Sequence, residues 1–199
     1  NVSITGAGTG IGRAIAIRFA QDGANVAIVA YGERAALDHV ALTNSTSVAA
    51  QLGATLTTVM ESEVSGSRGG GLLLDSGFRS PTVMNVRIRR SVLIGNHGVN
   101  GGAITAFSGT LELDAVTMSG NRATGNGGAI YLGGQSALRA VNSTFSGNAA
   151  DDSGGAIFVD DPGLRVQAGA GVADIVHSTI TGNRADADRN GFGVGGGIA

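Results

Sequence analysis

Asn142-Ser143-Thr144-Phe145-Ser146-Gly147-Asn148, a short polar gap, then Gly154-Gly155-Ala156-Ile157: this stretch decides the fold, because the chain repeats it. Ser91-Val92-Leu93-Ile94-Gly95-Asn96 leads to Gly101-Gly102-Ala103-Ile104, and Val116-Thr117-Met118-Ser119-Gly120-Asn121 leads to Gly127-Gly128-Ala129-Ile130. Ser178-Thr179-Ile180-Thr181-Gly182-Asn183 leads to Gly195-Gly196-Gly197-Ile198. The Gly-Gly units begin at 101, 127 and 154, in steps of 26 and 27 residues. Gly69-Gly70-Gly71-Leu72 lies 32 residues before the first of these, and the unit at 195 lies 41 residues after the third. A constant phrase with variable spacing signals a solenoid of stacked coils whose loops differ in length along one edge.

Between the glycines the apolar residues alternate. Leu111 and Leu113, Val116 and Met118, Val86 and Ile88, Ile104 and Ala106, and Ile130 and Leu132 are each two apart. Period two over such short segments predicts half-buried strands, and the flanking Thr, Ser and Val suit a pleated surface. Gly and Asn supply the corners, because both enter the left-handed backbone region more readily than other residues. Stacked in register about 4.8 Å apart, Asn96, Asn121, Asn148 and Asn183 would form a ladder of side-chain amides.

Composition narrows the function. The 199 residues carry a formal net charge of −2, with 42% hydrophobic and 14% charged residues, and 35 glycines fall at recurring positions. Slight acidity without a basic run argues against a nucleic-acid partner. The absence of cysteine excludes disulfides and thiolate zinc sites, and no apolar run is long enough for a membrane-spanning segment.

The phrase at residues 142–157 resembles the repeats of bacterial right-handed parallel β-helix proteins of the polymorphic outer-membrane type. The resemblance covers roughly residues 56–199. It implies an all-β, right-handed parallel β-helix solenoid, in a group whose members are typically secreted or displayed on the bacterial surface, many as adhesins. The same fold hosts pectate-lyase-like enzymes, so the fold alone assigns no chemistry. The chain opens at Asn1 and stops at Ala199 as a Gly-Gly-Gly-Ile unit begins. It reads as one β-helix segment, 1–199, of a longer array: irregular coils or a cap over 1–55, regular coils over 56–199, and further coils of the same longer chain as neighbours.

The opening residues carry a competing resemblance. Thr5-Gly6-Ala7-Gly8-Thr9-Gly10-Ile11-Gly12-Arg13-Ala14-Ile15, followed by Phe19-Ala20-Gln21-Asp22-Gly23-Ala24-Asn25-Val26, looks like the start of a short-chain dehydrogenase/reductase. That likeness implies Gly6, Gly10 and Gly12 as the glycines of a dinucleotide-binding turn. The remainder refuses it: the family needs a Tyr-x-x-x-Lys pair, and this chain has no lysine. Ile15, Ile17 and Phe19 alternate as in a strand, while Ile11, Ile15 and Phe19 share a helical face. Irregular strand coils, a short amphipathic capping helix over 11–22 and a fused dehydrogenase remnant over 1–40 all stand as readings.

Catalytic constellations are weak. Asp151-Asp152 and Asp160-Asp161 are the adjacent carboxylate pairs. Such pairs can hold Ca²⁺ or serve as acid and base in sugar hydrolysis, but Asp before Pro162-Gly163 is also ordinary turn chemistry. Asp186 and Asp188 read as solvated loop residues. His39, His97 and His177 share no metal-ligand spacing, and Arg89-Arg90 reads as outward-facing charge, with capture of an acidic saccharide as the functional alternative. No catalytic set, metal site or cofactor is assigned. The expectation is an exported structural or adhesive module presenting loops to a glycan or cell surface. A polysaccharide-active lyase or hydrolase is the alternative.

Overall fold

The computed structural model describes residues 2–5, 26–75, 83–160 and 172–199. All its named elements are strands, and every strand pairs in parallel with its counterpart one coil away. The longest sheet contains β1 (Val2–Thr5), β2 (Val26–Asp38), β4 (Ala50–Met60), β6 (Leu72–Leu74), β7 (Asn85–Arg89), β10 (Ile104–Asp114), β13 (Ile130–Val141), β16 (Ile157–Val159) and β17 (Val172–Val176). A second sheet contains β3 (Ala41–Thr43), β5 (Glu63–Ser65), β8 (Val92–Ile94), β11 (Thr117–Ser119), β14 (Thr144–Ser146) and β18 (Thr179–Thr181). The third, of β9 (His97–Gly98), β12 (Arg122–Ala123) and β15 (Ala149–Ala150), is two residues wide. The chain visits these sheets in turn and climbs one level per circuit, as parallel pairing without helical crossovers requires.

Register follows the repeated phrase. Ile104 lies beside Ile130, Ile130 beside Ile157 and Ile157 beside Ile198. Earlier, Ile28 lies beside Ala50 and Ala50 beside Leu72, steps of 22 residues each. The inward positions make one continuous core: Val86, Ile88, Leu111, Leu113, Leu138 and Ala140 from the long sheet pack with Leu93, Met118 and Phe145 from the second. No single coil could bury its inward side chains alone, so stability comes from neighbours above and below.

The two glycines of the Gly-Gly unit serve different needs. Gly127 has a φ of 70°, in the left-handed region. Gly128 lies against the next coil, where an added Cβ would sit 2.1 Å from the carbonyl oxygen of Gly155. The corner between the first two sheets is built without glycine: His39, Glu61, Arg90, Ala115, Asn142 and His177 stack there with φ between 44° and 55°. For Ala115, exposed and unable to make a compensating side-chain hydrogen bond, this conformation is strained. Ala115→Gly is therefore expected to stabilise by up to about 1 kcal/mol, the relieved strain outweighing the added unfolded-state entropy. Thermal melting checks this, and a lowered midpoint would contradict the strain argument.

The asparagine ladder forms as expected. Nδ2 of Asn96 donates to Oδ1 of Asn121 at 3.0 Å, Asn121 to Asn148 at 3.0 Å and Asn148 to Asn183 at 2.9 Å. The same Oδ1 atoms also accept the backbone N–H of the preceding rung. Each Nδ2 spends its other hydrogen on a carbonyl of the second sheet, those of Val64, Leu93, Met118 and Phe145. One level below, Ser67 takes the asparagine position: its N–H reaches Oδ1 of Asn96, but its buried hydroxyl has no hydrogen-bond partner among the described residues. Ser67→Asn should add a rung and stabilise by about 1 kcal/mol. A melt below that of the parent would show that the site lacks room for the amide.

Candidate functional site

The long sheet faces the core with one side and solvent with the other, and its outer side collects the chain's chemistry. Alternation around Ile130 and Leu132 turns Tyr131 outward, with Thr105 and Phe158 as its register partners in the coils on either side. Tyr131 is nonetheless only 8% exposed, because aromatic rings cover it. Phe158 stacks on it with centroids 5.7 Å apart and planes 11° apart, and Phe107 meets it edge-on at 6.1 Å. Gly133 makes room for this packing: a Cβ there would lie 2.7 Å from Cε1 of Tyr131 and 3.1 Å from Cδ1 of Phe107.

The Tyr131 hydroxyl donates to Oδ2 of Asp160 at 2.5 Å. Burial, then the hydrogen bond and the negative charge of Asp160, push its pKa up to about 12. The folded state thus favours the neutral phenol. Its contribution to stability is complete below about pH 10, the ordinary tyrosine value, and is lost as pH rises through about 12. Following tyrosinate absorbance in the chain and in Tyr131→Phe should reveal a phenol titrating well above a free tyrosine. A single ordinary titration for both tyrosines would remove the Asp160 contact.

Further along the same strands the outer side becomes charged. In register, Arg87, Glu112, Arg139 and Asp174 form one column, and Arg89 and Asp114 lie side by side in the next. Nε of Arg87 donates to Glu112 at 2.8 Å, and Nη1 of Arg139 donates to Asp174. A groove of about 260 Å³ lies over this patch, lined by Arg89, Glu112, Asp114 and Arg139 among others. A second groove, about 220 Å³, runs beside the aromatic patch between Leu73, Val99, Asn100, Thr105 and Phe107. Opposite signs alternate from coil to coil because like charges directly across a ladder destabilise it.

The structure distributes the residues singled out in the sequence. Asp160 joins the aromatic patch through Tyr131, whereas Asp161 lies outside the described residues. Asp151 pairs with Arg122 on the third sheet, away from Asp160. The carbonyl of Asp152 accepts the N–H of Asp186. Asp186 and Asp188 order their own loop, accepting the N–H groups of Gly191 at 3.1 Å and Asn190 at 3.2 Å. His39 contacts Asp38 and Glu61 at the first corner, His177 belongs to the same corner column, and His97 sits on the third sheet. Among the described residues no three His, Asp or Glu side chains gather to hold a metal. Arg90 grips Glu61 at 2.6 Å and holds that carboxyl below its usual range, while Arg89 lines the charged groove.

Glu112, Asp114, Phe107 and Tyr131 escaped the sequence reading. The signal for two of them was present: in Leu111-Glu112-Leu113-Asp114 the period-two pattern that buries both leucines puts both carboxylates outward.

The dehydrogenase resemblance finds no support. Val2–Thr5 pairs in parallel with Val26–Val29, and β2 continues in register with β4 to Asp38 beside Met60. The chain then turns directly into β3 without a helical crossover, so the dinucleotide fold's alternation of strand and helix is absent there. The turn glycines Gly6, Gly10 and Gly12 and the capping helix expected over 11–22 lie outside the described residues. No helix among the described residues is long and apolar enough to cross a membrane.

A family model described as a right-handed β-helix region matches residues 23–199, beginning beyond the dehydrogenase-like glycines. No curated protein and no solved structure matches the chain. With parallel coils stacked in the register of its own repeats and a family match running from residue 23 to the last, the chain belongs to the right-handed β-helix family.

Proposed function

We propose that the chain is a structural and adhesive module of a secreted or surface-displayed protein, bacterial and outer-membrane associated, that binds glycan on the cell surface or in its surroundings. The observation behind this reading is how the outer charges are used. Glu61, Glu112, Asp151 and Asp174 each meet an arginine of an adjacent coil, while Phe107 and Val99 stay open to solvent. Charges arranged this way stitch coils together, and the open apolar groups beside them suit contact with a ligand surface. Retention of the purified chain on immobilised glycans tests the reading. Binding without release of new reducing ends is expected, and failure to bind any glycan or intact bacterial surface would overturn it.

A second reading is favoured by one observation. Glu112 and Asp114 share the charged groove with Arg89 and Arg139, and paired carboxylates are the groups that cleave glycosidic bonds. Polysaccharide cleavage that disappears in Asp114→Asn would establish this lyase or hydrolase reading in place of the first.

A further inference from the structure

We infer that the outer strip of the long sheet, from Phe107 to Asp114 with its neighbours, takes a neutral, hydroxyl-rich oligosaccharide and discriminates against polyanionic glycans. This rests on the glycan-binding reading above and names its ligand class. Three observations converge on it.

The first is charge balance. Arg87, Arg89 and Arg139 share the outer face with Glu112, Asp114 and Asp174, in register on neighbouring strands. Three guanidinium groups facing three carboxylates leave no net field to draw in a polyanion, and every anionic group brought close to an arginine also approaches a carboxylate. The same groups are suitable for hydroxyls, because guanidinium donors and carboxylate acceptors alternate along the stack.

The second is an apolar platform beside those charges. Phe107 is 44% exposed and Val99 74% exposed, and both line the groove that also contains Leu73, Asn100 and Thr105. An aromatic ring offers a flat surface to the C–H face of a sugar, and at its margin the Thr105 hydroxyl, which donates to the Asn100 carbonyl, keeps lone pairs that can accept from a sugar hydroxyl. Phe107 is held from behind: its ring meets the edge of Tyr131, which is fixed by Asp160 on one side and Phe158 on the other. Tyr131 and Asp160 are therefore positioning residues for the platform.

The third is spacing. Phe107 and Glu112 belong to the same strand, β10, five residues apart, or about 16 Å in extended chain. Between them on β10 lie Ser108, Gly109, Thr110 and Leu111, and Gly109 lets the neighbouring coil pack close, since a Cβ there would lie 2.1 Å from the carbonyl oxygen of Met84. A short oligosaccharide spans that distance and engages both halves together.

Calorimetry with cello-, manno- and xylohexaose, set against hexagalacturonate, tests the inference on the whole chain. At least one neutral hexasaccharide should bind, with an affinity little changed by added salt, and hexagalacturonate at least about tenfold more weakly. Phe107→Ala and Glu112→Gln should each weaken the neutral ligand by about fivefold or more while leaving the melting transition in place. Tighter, salt-sensitive binding of hexagalacturonate would overturn the inference. Neutral binding unaffected by both substitutions would also overturn it, while leaving the adhesive-module reading intact. If no glycan of either charge binds, both fall together.

Discussion

Leu113→Asp is expected to unfold the coils around it as one cooperative unit. Leu113 is 1% exposed, lies in register between Ile88 and Ala140, and belongs to the continuous core. The substitution removes a leucine side chain from that column, itself worth about 2–5 kcal/mol. It also places a carboxylate in a core where none of the buried side chains among the described residues is basic, at a cost of several kcal/mol more unless the group takes up a proton. The total is comparable with the whole stability of an ordinary domain, about 5–15 kcal/mol. Loss of the cooperative melt and of protease resistance is the expected result. The neighbouring Glu112→Gln, on the outer face, should shift the melt only slightly, because exposed ion pairs contribute about 0–1 kcal/mol. A Leu113→Asp chain that melts like its parent would show that the inward face has been misassigned.

The second large effect concerns the ladder. Asn121 accepts two hydrogen bonds from Asn96 and donates to the carbonyl of Leu93 and to Asn148. Asn121→Ala leaves both Asn96 donors and the Leu93 carbonyl unmatched on the neighbouring coil and removes one of the two hydrogen bonds that Oδ1 of Asn148 accepts on the other side, all of these groups buried. The expected loss is about 3–5 kcal/mol, because each stranded polar group costs about 1–3 kcal/mol. Asn121→Asp separates hydrogen bonding from shape. One carboxylate oxygen can still accept from Asn96, but the other then faces the Leu93 carbonyl and Oδ1 of Asn148, both acceptors. Burial and these neighbours raise the folded-state pKa of the new carboxyl above the ordinary value of about 3.9. Its protonated form, which can donate, is therefore the one compatible with the fold. Stability of Asn121→Asp should be highest below about pH 4 and fall as pH rises through the raised folded-state value. Denaturation at a series of pH values relative to the parent checks this. A variant unaffected by pH would mean that water or a backbone shift satisfies the rung.

These two expectations rest on parts of the molecule that a reader of the sequence could name in advance. Leu111 and Leu113 announce an inward face by their spacing, and the four Gly-Asn corners announce a ladder by their recurrence. Both features are local patterns repeated, and repetition makes them legible: when coils stack, equal positions meet equal positions. The outer face was less legible for the same reason. Tyr131 and Phe158 follow the Ile of the repeated unit and stack in register, but Phe107 reaches them only from a register shift between Ala106 and Ser108 on β10 opposite Leu132 and Gln135 on β13. Neighbouring residues also part company where the chain turns: the Asp151 side chain pairs with Arg122, while the Asp152 carbonyl accepts the N–H of Asp186. Arg89 and Arg90 illustrate this at a corner, where one lines a groove and the other binds Glu61.

The amino-acid sequence by itself determined the coil, its inward residues and its asparagine ladder, since each depends on a short pattern whose meaning is set by backbone geometry. Tertiary structure alone decided which charges and rings share the outer face. That depends on how many residues each coil inserts before returning to register, and a one-residue change in that number moves a side chain from one face to the other.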